Sequence, residues 1–305
     1  MPPKYGVYSP MVTFFHPNED IDYSSITKHA QRLLSSGVSG LVIHGSNGEA
    51  THLLHDERAK IIRHVRDIAK EYPETVIIAG CSANSARETL LYINEAKDAG
   101  ADYALVLPPS YWSAAMSKPV LRAFYVEVAE KSPLPLVIYN FPGVTSNIDL
   151  DSDLIIDLAT SCPNIAGVKL TCGNLGKLQR ISASLPATSF APFAGKADFL
   201  LPGLTVGSNG VISALANVVP KVHVEVLRLY QEGKIEEAQD VQRKLSVADW
   251  ALLKLGISGV KAASTKWFGY GSSQPRKPLP WVGVEAIQGE VEKALQVVVD
   301  MEMKL

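Results

Sequence analysis

Up to about residue 231, short apolar runs alternate with longer amphipathic stretches. The runs are Val7–Phe14, Gly40–Ile43, Val76–Gly80, Tyr103–Leu107, Leu136–Tyr139, Ile165–Lys169, Ser189–Phe193 and Gly210–Ile212. Each has strand length and is rich in Val, Ile, Leu or Tyr. Between them, Tyr23–Ser35, Asp56–Glu71, Ala86–Ala99, Val120–Lys131 and Leu150–Ser161 place apolar residues at helical spacing. Stop signals follow several of these. Ser36-Gly37 and Ala99-Gly100 put glycine where a left-handed residue closes a helix. Tyr72-Pro73 ends its helix because the residue before proline avoids the α region.

Strand and helix therefore alternate at roughly 30 residues, the pattern of parallel βαβ units. Eight units in roughly 230 residues predict a closed (β/α)8 barrel over 1–230. A doubly wound open sheet is the alternative, but no G-x-G-x-x-G follows the first strand. Beyond Gln231, Lys234–Leu255, Ile257–Trp267 and Val284–Lys304 read as helices. This segment, 231–305, is too small for a core of its own and is expected to pack on the barrel.

Composition narrows the chemistry. The 305 residues are 47% hydrophobic, enough for a large core, and the formal charge of -2 lacks blocks of one sign. Nucleic acid and anionic membrane are thereby poor partners. Cys81, Cys162 and Cys172 are an odd set without metal spacing and point to a reducing compartment. No apolar run approaches the ~20 residues that span a bilayer, and the N-terminus has no signal-type core, so a cytoplasmic protein is expected. His52-x-x-His55 has helical spacing but no further ligand pattern, and no G-x-S-x-G elbow occurs. Gly195-Lys196 fails as a phosphate loop, because Phe190 and Ala197 stand where glycine and Ser/Thr are needed.

Barrel enzymes carry their chemistry at the C-terminal ends of the strands. The sixth run closes on Lys169, with Thr171 beyond it. Removal from water disfavours an ammonium ion, so a lysine buried there can offer a free amine that attacks carbonyls. A lysine reaching to solvent is the ordinary alternative. Tyr139 ends the adjacent fifth strand, within reach of Lys169, where a phenol can shuttle protons. The second strand runs into His44-Gly45-Ser46-Asn47-Gly48-Glu49, whose glycines, polar side chains and N–H groups suit a carboxylate.

Gly45-Ser46-Asn47-Gly48-Glu49, Tyr139-Asn140-Phe141-Pro142, Gly167-Val168-Lys169 and Gly207-Ser208-Asn209-Gly210-Val211-Ile212-Ser213 occur in order, followed by Asn217 and Pro220. Together with Val260-Lys261-Ala262-Ala263 and Arg276-Lys277-Pro278-Leu279-Pro280, they resemble the dihydrodipicolinate synthase / N-acetylneuraminate lyase superfamily over nearly the whole chain. The resemblance implies a Schiff base between Lys169 and pyruvate or another 2-oxo acid, without cofactor or metal. It implies Tyr139 as the proton-transfer residue and Ser46 as a relay to it. Tyr111 matches a tyrosine that completes the relay across a dimer interface. Asn47, Gly48, Gly210, Ile212 and Thr171 are the implied substrate-binding residues, and a homotetramer built as a dimer of dimers is the implied assembly.

One departure bears on the substrate. True dihydrodipicolinate synthases place a carboxylate-binding arginine where this chain has Val144. Valine cannot form that contact, whose loss costs about 2–5 kcal/mol. The expected substrate is therefore a 2-keto-3-deoxy sugar acid, cleaved to pyruvate and a hydroxyaldehyde. 4-Hydroxy-2-oxoglutarate comes next, although the sequence places no cation for its distal carboxylate. The synthase reaction and sialic acid cleavage follow. From a different class, a non-catalytic 2-oxo-acid sensor would not require the lysine–tyrosine pair.

Overall fold

The computed structural model describes residues 1–305, with eight parallel strands closed in chain order. They are β1 (Gly6–Pro10), β2 (Gly40–Ile43), β3 (Val76–Gly80), β4 (Tyr103–Val106), β5 (Leu136–Asn140), β6 (Ile165–Leu170), β7 (Ala191–Ala194) and β8 (Gly210–Ile212). The barrel seam pairs Gly6 with Gly210 and Tyr8 with Ile212. Successive residues of a strand point to opposite faces. Tyr8, Val42, Ile78, Leu105, Val137, Tyr139, Phe193 and Ile212 fill the barrel, whereas Val7, Leu41, Ile77, Val106, Ile138, Val168 and Val211 pack outward. Both faces are buried, so the strands read as continuous apolar runs instead of an alternation.

Helices α1 (Tyr23–Ser35), α2 (His55–Ala69), α3 (Ala86–Asp98), α4 (Lys118–Lys131), α5 (Ser152–Ser161), α6 (Leu175–Ser184), α7 (Leu200–Thr205) and α8 (Pro220–Gln231) follow the strands in turn. Asp22, Ser85, Asp151 and Asn174 cap α1, α3, α5 and α6 by accepting backbone N–H groups that have no partner in the first turn. Gly37 and Gly100 take φ of +83° and +99° just after α1 and α3. Helix α2 stops at Ala69, before the expected end at Glu71. The first apolar run is also shorter as a strand than expected. It leaves the sheet after Pro10, and Phe14 and Phe15 are apolar because they pack beneath the C-terminal segment.

That segment forms α9 (Ile235–Leu253), α10 (Gly256–Phe268) and α11 (Gly289–Glu302). The helix expected from Val284 is interrupted: a single turn at Val284–Ala286 precedes α11, and Gly289 has φ of +58°. Helix α9 lies across the loop after β7. Gln242 receives the Leu201 N–H at 2.8 Å and donates to the Ala197 carbonyl at 2.8 Å. No helix is long and apolar enough to cross a membrane.

Candidate active site

The β5–β6 ladder aligns Tyr139 with Lys169, and β6–β7 aligns Lys169 with Phe193. Lys169 and Tyr139 thus enter the barrel interior at one level, near its C-terminal rim. They are 2% and 3% exposed, and Lys169 Nζ lies 3.3 Å from the Tyr139 hydroxyl. The amine also sits 4.3 Å from the centre of the Tyr139 ring. Three lysines of this chain are buried: Lys169, Lys177 and Lys261. Lys177 pairs with Asp149 and Lys261 with Glu49, whereas Lys169 has no carboxylate partner. A buried amine without a counter-ion is uncommon in a purely structural position.

Lys169 and Tyr139 open into a cavity of about 300 Å³, a small-molecule size. Ser46, Asn47, Phe141, Val144 and Thr171 line it with them. Thr171 lines the cavity, and its buried hydroxyl has no partner within the protein. Asn140 anchors the loop carrying Phe141 and Val144: its amide donates to Asp149 at 2.7 Å and its carbonyl accepts the Leu150 N–H at 3.0 Å.

The loop carrying Ser46 and Asn47 is held through Glu49, a left-handed residue with φ of +57°. One Glu49 oxygen accepts Lys261 Nζ at 2.6 Å and the other accepts the Arg276 N–H at 2.8 Å. The Arg276 guanidinium in turn grips Glu57, with contacts of 2.5 and 2.6 Å. Burial pulls the Lys261 amine down to about 8, against the opposing pull of Glu49.

Four residues expected in the site lie elsewhere or act differently. Gly210 is the first residue of β8 and faces Gly6, at the far end of the barrel from Lys169. Its φ of +121° and the Gly6 carbonyl, which a Cβ would approach to 1.9 Å, explain the glycine without a ligand. The glycine at the cavity is Gly195, whose absent Cβ would fall 2.4 Å from Thr171 Oγ1. Ile212 is fully buried among Tyr8, Val42 and Phe193 and does not reach the cavity. Gly48 supports the loop from behind, its carbonyl accepting the Thr13 hydroxyl at 2.8 Å. Tyr111 is 74% exposed, stacked edge-on against Trp112, and outside the cavity of its own chain. No direct hydrogen bond joins Ser46 to Tyr139, although both line the cavity.

Other cavity residues escaped the sequence reading. Asp249, Leu252 and Leu253 come from α9, and Gly256, Ile257 and Val260 from α10. Lys196 follows Gly195 on the loop after β7, lines the cavity, and forms no ion pair. It is a cation that the strand pattern alone could not place. Asp249 accepts the Asp198 N–H at 3.2 Å, and burial together with nearby Asp198 pushes its carboxyl up to about 7. His52 and His55 do not form a metal pair: His55 contacts Glu95 at 3.1 Å and stacks on Tyr92.

A parallel barrel with an unpaired lysine and a tyrosine at its rim defines a carbonyl-handling enzyme. The model of the Dihydrodipicolinate synthetase family matches residues 3–298, and the chain belongs to that family. A relative from Emericella nidulans, named "Probable 4-hydroxy-2-oxoglutarate aldolase, mitochondrial", is 47% identical over 90% of this chain and 88% of its own. The "L-threo-3-deoxy-hexylosonate aldolase" of Hypocrea jecorina is 42% identical over 96% of each chain. A crystal structure of a dihydrodipicolinate synthase family protein from Coccidioides immitis superposes with a TM-score of 0.89, at 41% identity, over 99% of this chain and 98% of that one. Within this family the protein is a carbon–carbon lyase of the aldolase type.

Proposed function

We propose that the protein reversibly cleaves a 2-keto-3-deoxy sugar acid to pyruvate and a hydroxyaldehyde through an imine on Lys169. The observation that carries this reading is the buried Lys169 amine, free of any carboxylate and 3.3 Å from the Tyr139 hydroxyl at a cavity. The amine adds to the C2 carbonyl and water leaves, giving a protonated imine. Loss of the C4 hydroxyl proton to Tyr139, relayed through Ser46, lets the C3–C4 electron pair move into the imine as the bond breaks. The aldehyde departs, the enamine takes a proton at C3, and water releases pyruvate and restores the amine. Asn47, Thr171 and the N–H groups of the Gly45–Glu49 loop are suited to the substrate carboxylate. The name of the Hypocrea jecorina relative, an L-threo-3-deoxy-hexylosonate aldolase, supports cleavage of this substrate class.

Borohydride reduction in the presence of pyruvate tests the chemistry. A reduced pyruvyl adduct on the Lys169 peptide is expected. An adduct on Lys261 instead, or none despite calorimetric binding of pyruvate, refutes the mechanism, the latter outcome favouring a sensor.

4-Hydroxy-2-oxoglutarate is the second reading, supported by the Emericella nidulans relative and by Lys196 as an unpaired cation. Val144 bears on both. It lines the cavity, so Val144→Arg should raise kcat/KM for carboxylated aldehydes and lower it for neutral ones in the condensation direction. The expected change in the ratio is about tenfold or more, and steady-state kinetics with paired aldehydes measure it.

In this reading 1–230 is the catalytic barrel, and 231–305 packs on it and completes the cavity wall. Exposed Tyr111 and Trp112 suit an interface within a homotetramer, with Tyr111 completing a neighbour's relay. Light scattering of the full chain tests that assembly. Free cysteines fit a reducing compartment, which we take as the cytoplasm; the Emericella nidulans relative is named mitochondrial, and imaging of the tagged protein decides between them.

A further inference from the structure

We propose that Lys196 and Asp249 form a subsite that grips a hydroxyl on the carbon chain beyond the cleaved bond, selecting substrates with an uncharged, hydroxylated tail. This rests on the aldolase reading above and assigns the feature of the substrate that these two side chains read.

Lys196 lies on the loop after β7, next to Gly195, and Asp249 lies on α9; both line the cavity that holds Lys169. Lys196 is close enough for its charge to favour the ionised forms of Asp198 and Asp249, yet it forms no ion pair with either. The two residues thus line one cavity without an ion pair between them. A hydroxyl between them accepts from Lys196 and donates to Asp249, satisfying both. Phe141, Leu252, Leu253 and Ile257 supply apolar wall of the same cavity.

Local charge argues against a carboxylate tail. One ammonium stands beside two carboxyl groups, Asp198 and Asp249, so the subsite carries no net positive charge. Asp249 also accepts the Asp198 N–H, which fixes its orientation toward the loop. A buried acceptor, Asp249, facing a half-buried donor, Lys196, discriminates against analogues that lack the hydroxyl, since those leave both groups without that partner.

The test compares three substrates on the 305-residue chain: a six-carbon 2-keto-3-deoxy acid, 4-hydroxy-2-oxoglutarate, and 4-hydroxy-2-oxopentanoate with its methyl tail. The readout is the ratio of kcat/KM for the hydroxylated tail to that for the methyl tail. Lys196→Met should lower this ratio about tenfold to a hundredfold, the range of a hydrogen bond to a charged group. Lys196 has no partner to orphan, so the variant should fold; Asp249→Asn is the second probe and should lower the same ratio. An unchanged ratio in Lys196→Met, or a loss confined to 4-hydroxy-2-oxoglutarate, overturns the proposal. If the wild type gives no pyruvyl adduct on Lys169, the aldolase reading itself fails; an adduct with an unmoved ratio sinks the subsite alone.

Discussion

Lys169→Ala is expected to lose the borohydride-trapped pyruvyl adduct and to lower kcat by on the order of 10⁴–10⁶, the scale seen when a covalent nucleophile is removed. No other lysine is held against the Tyr139 hydroxyl. Lys177 and Lys261 are each committed to a carboxylate, and Lys196 extends from the loop beyond β7 instead of the barrel interior. Tyr139 remains in place, but without an imine there is no electron sink for the C3–C4 pair. Single-turnover pyruvate release, with thermal melting as a fold control, measures the effect. Substantial residual turnover in a folded variant would mean that the carbonyl is activated without a covalent bond.

The second large effect concerns stability. Lys261→Met should leave the Glu49 carboxylate buried without its counter-ion, both side chains being 0% exposed. Breaking one partner of such a pair costs about 3–5 kcal/mol. For a domain of this size that lowers Tm by roughly 6 °C or more. Activity should fall as well, because Glu49 anchors the loop bearing Ser46 and Asn47. The double variant Glu49→Gln, Lys261→Met should recover much of the Tm, since no lone charge is then buried. Differential scanning calorimetry of the single and double variants checks this. If the double variant were as unstable as the single, lost packing around the lysine stem would be the cause instead of the orphaned carboxylate.

The barrel and the lysine–tyrosine pair were legible in the order of residues alone. Both follow from periodicity: strand-length apolar runs at regular spacing pair in order, and equivalent ends of adjacent parallel strands bring Tyr139 beside Lys169. The glycines closing α1 and α3 were legible for the same reason, since a left-handed residue is a local demand. Position within a short strand was less legible. Gly210 and Ile212 share β8, yet one faces the bottom of the barrel and the other is sealed in its core, while Gly195 on the next-door loop lies at the cavity. The remainder of the site belongs to tertiary structure alone. Lys196, read from sequence only as part of a failed phosphate loop, projects into the cavity because the loop after β7 turns inward. Asp249, Leu252 and Ile257 reach it because α9 and α10 fold back over the barrel, held by Gln242 and by Lys261 on Glu49. Periodicity states which face of a helix is buried; only packing between segments distant in the chain, 41 residues apart for Gln242 and Leu201 and 212 for Lys261 and Glu49, decides what that face is buried against.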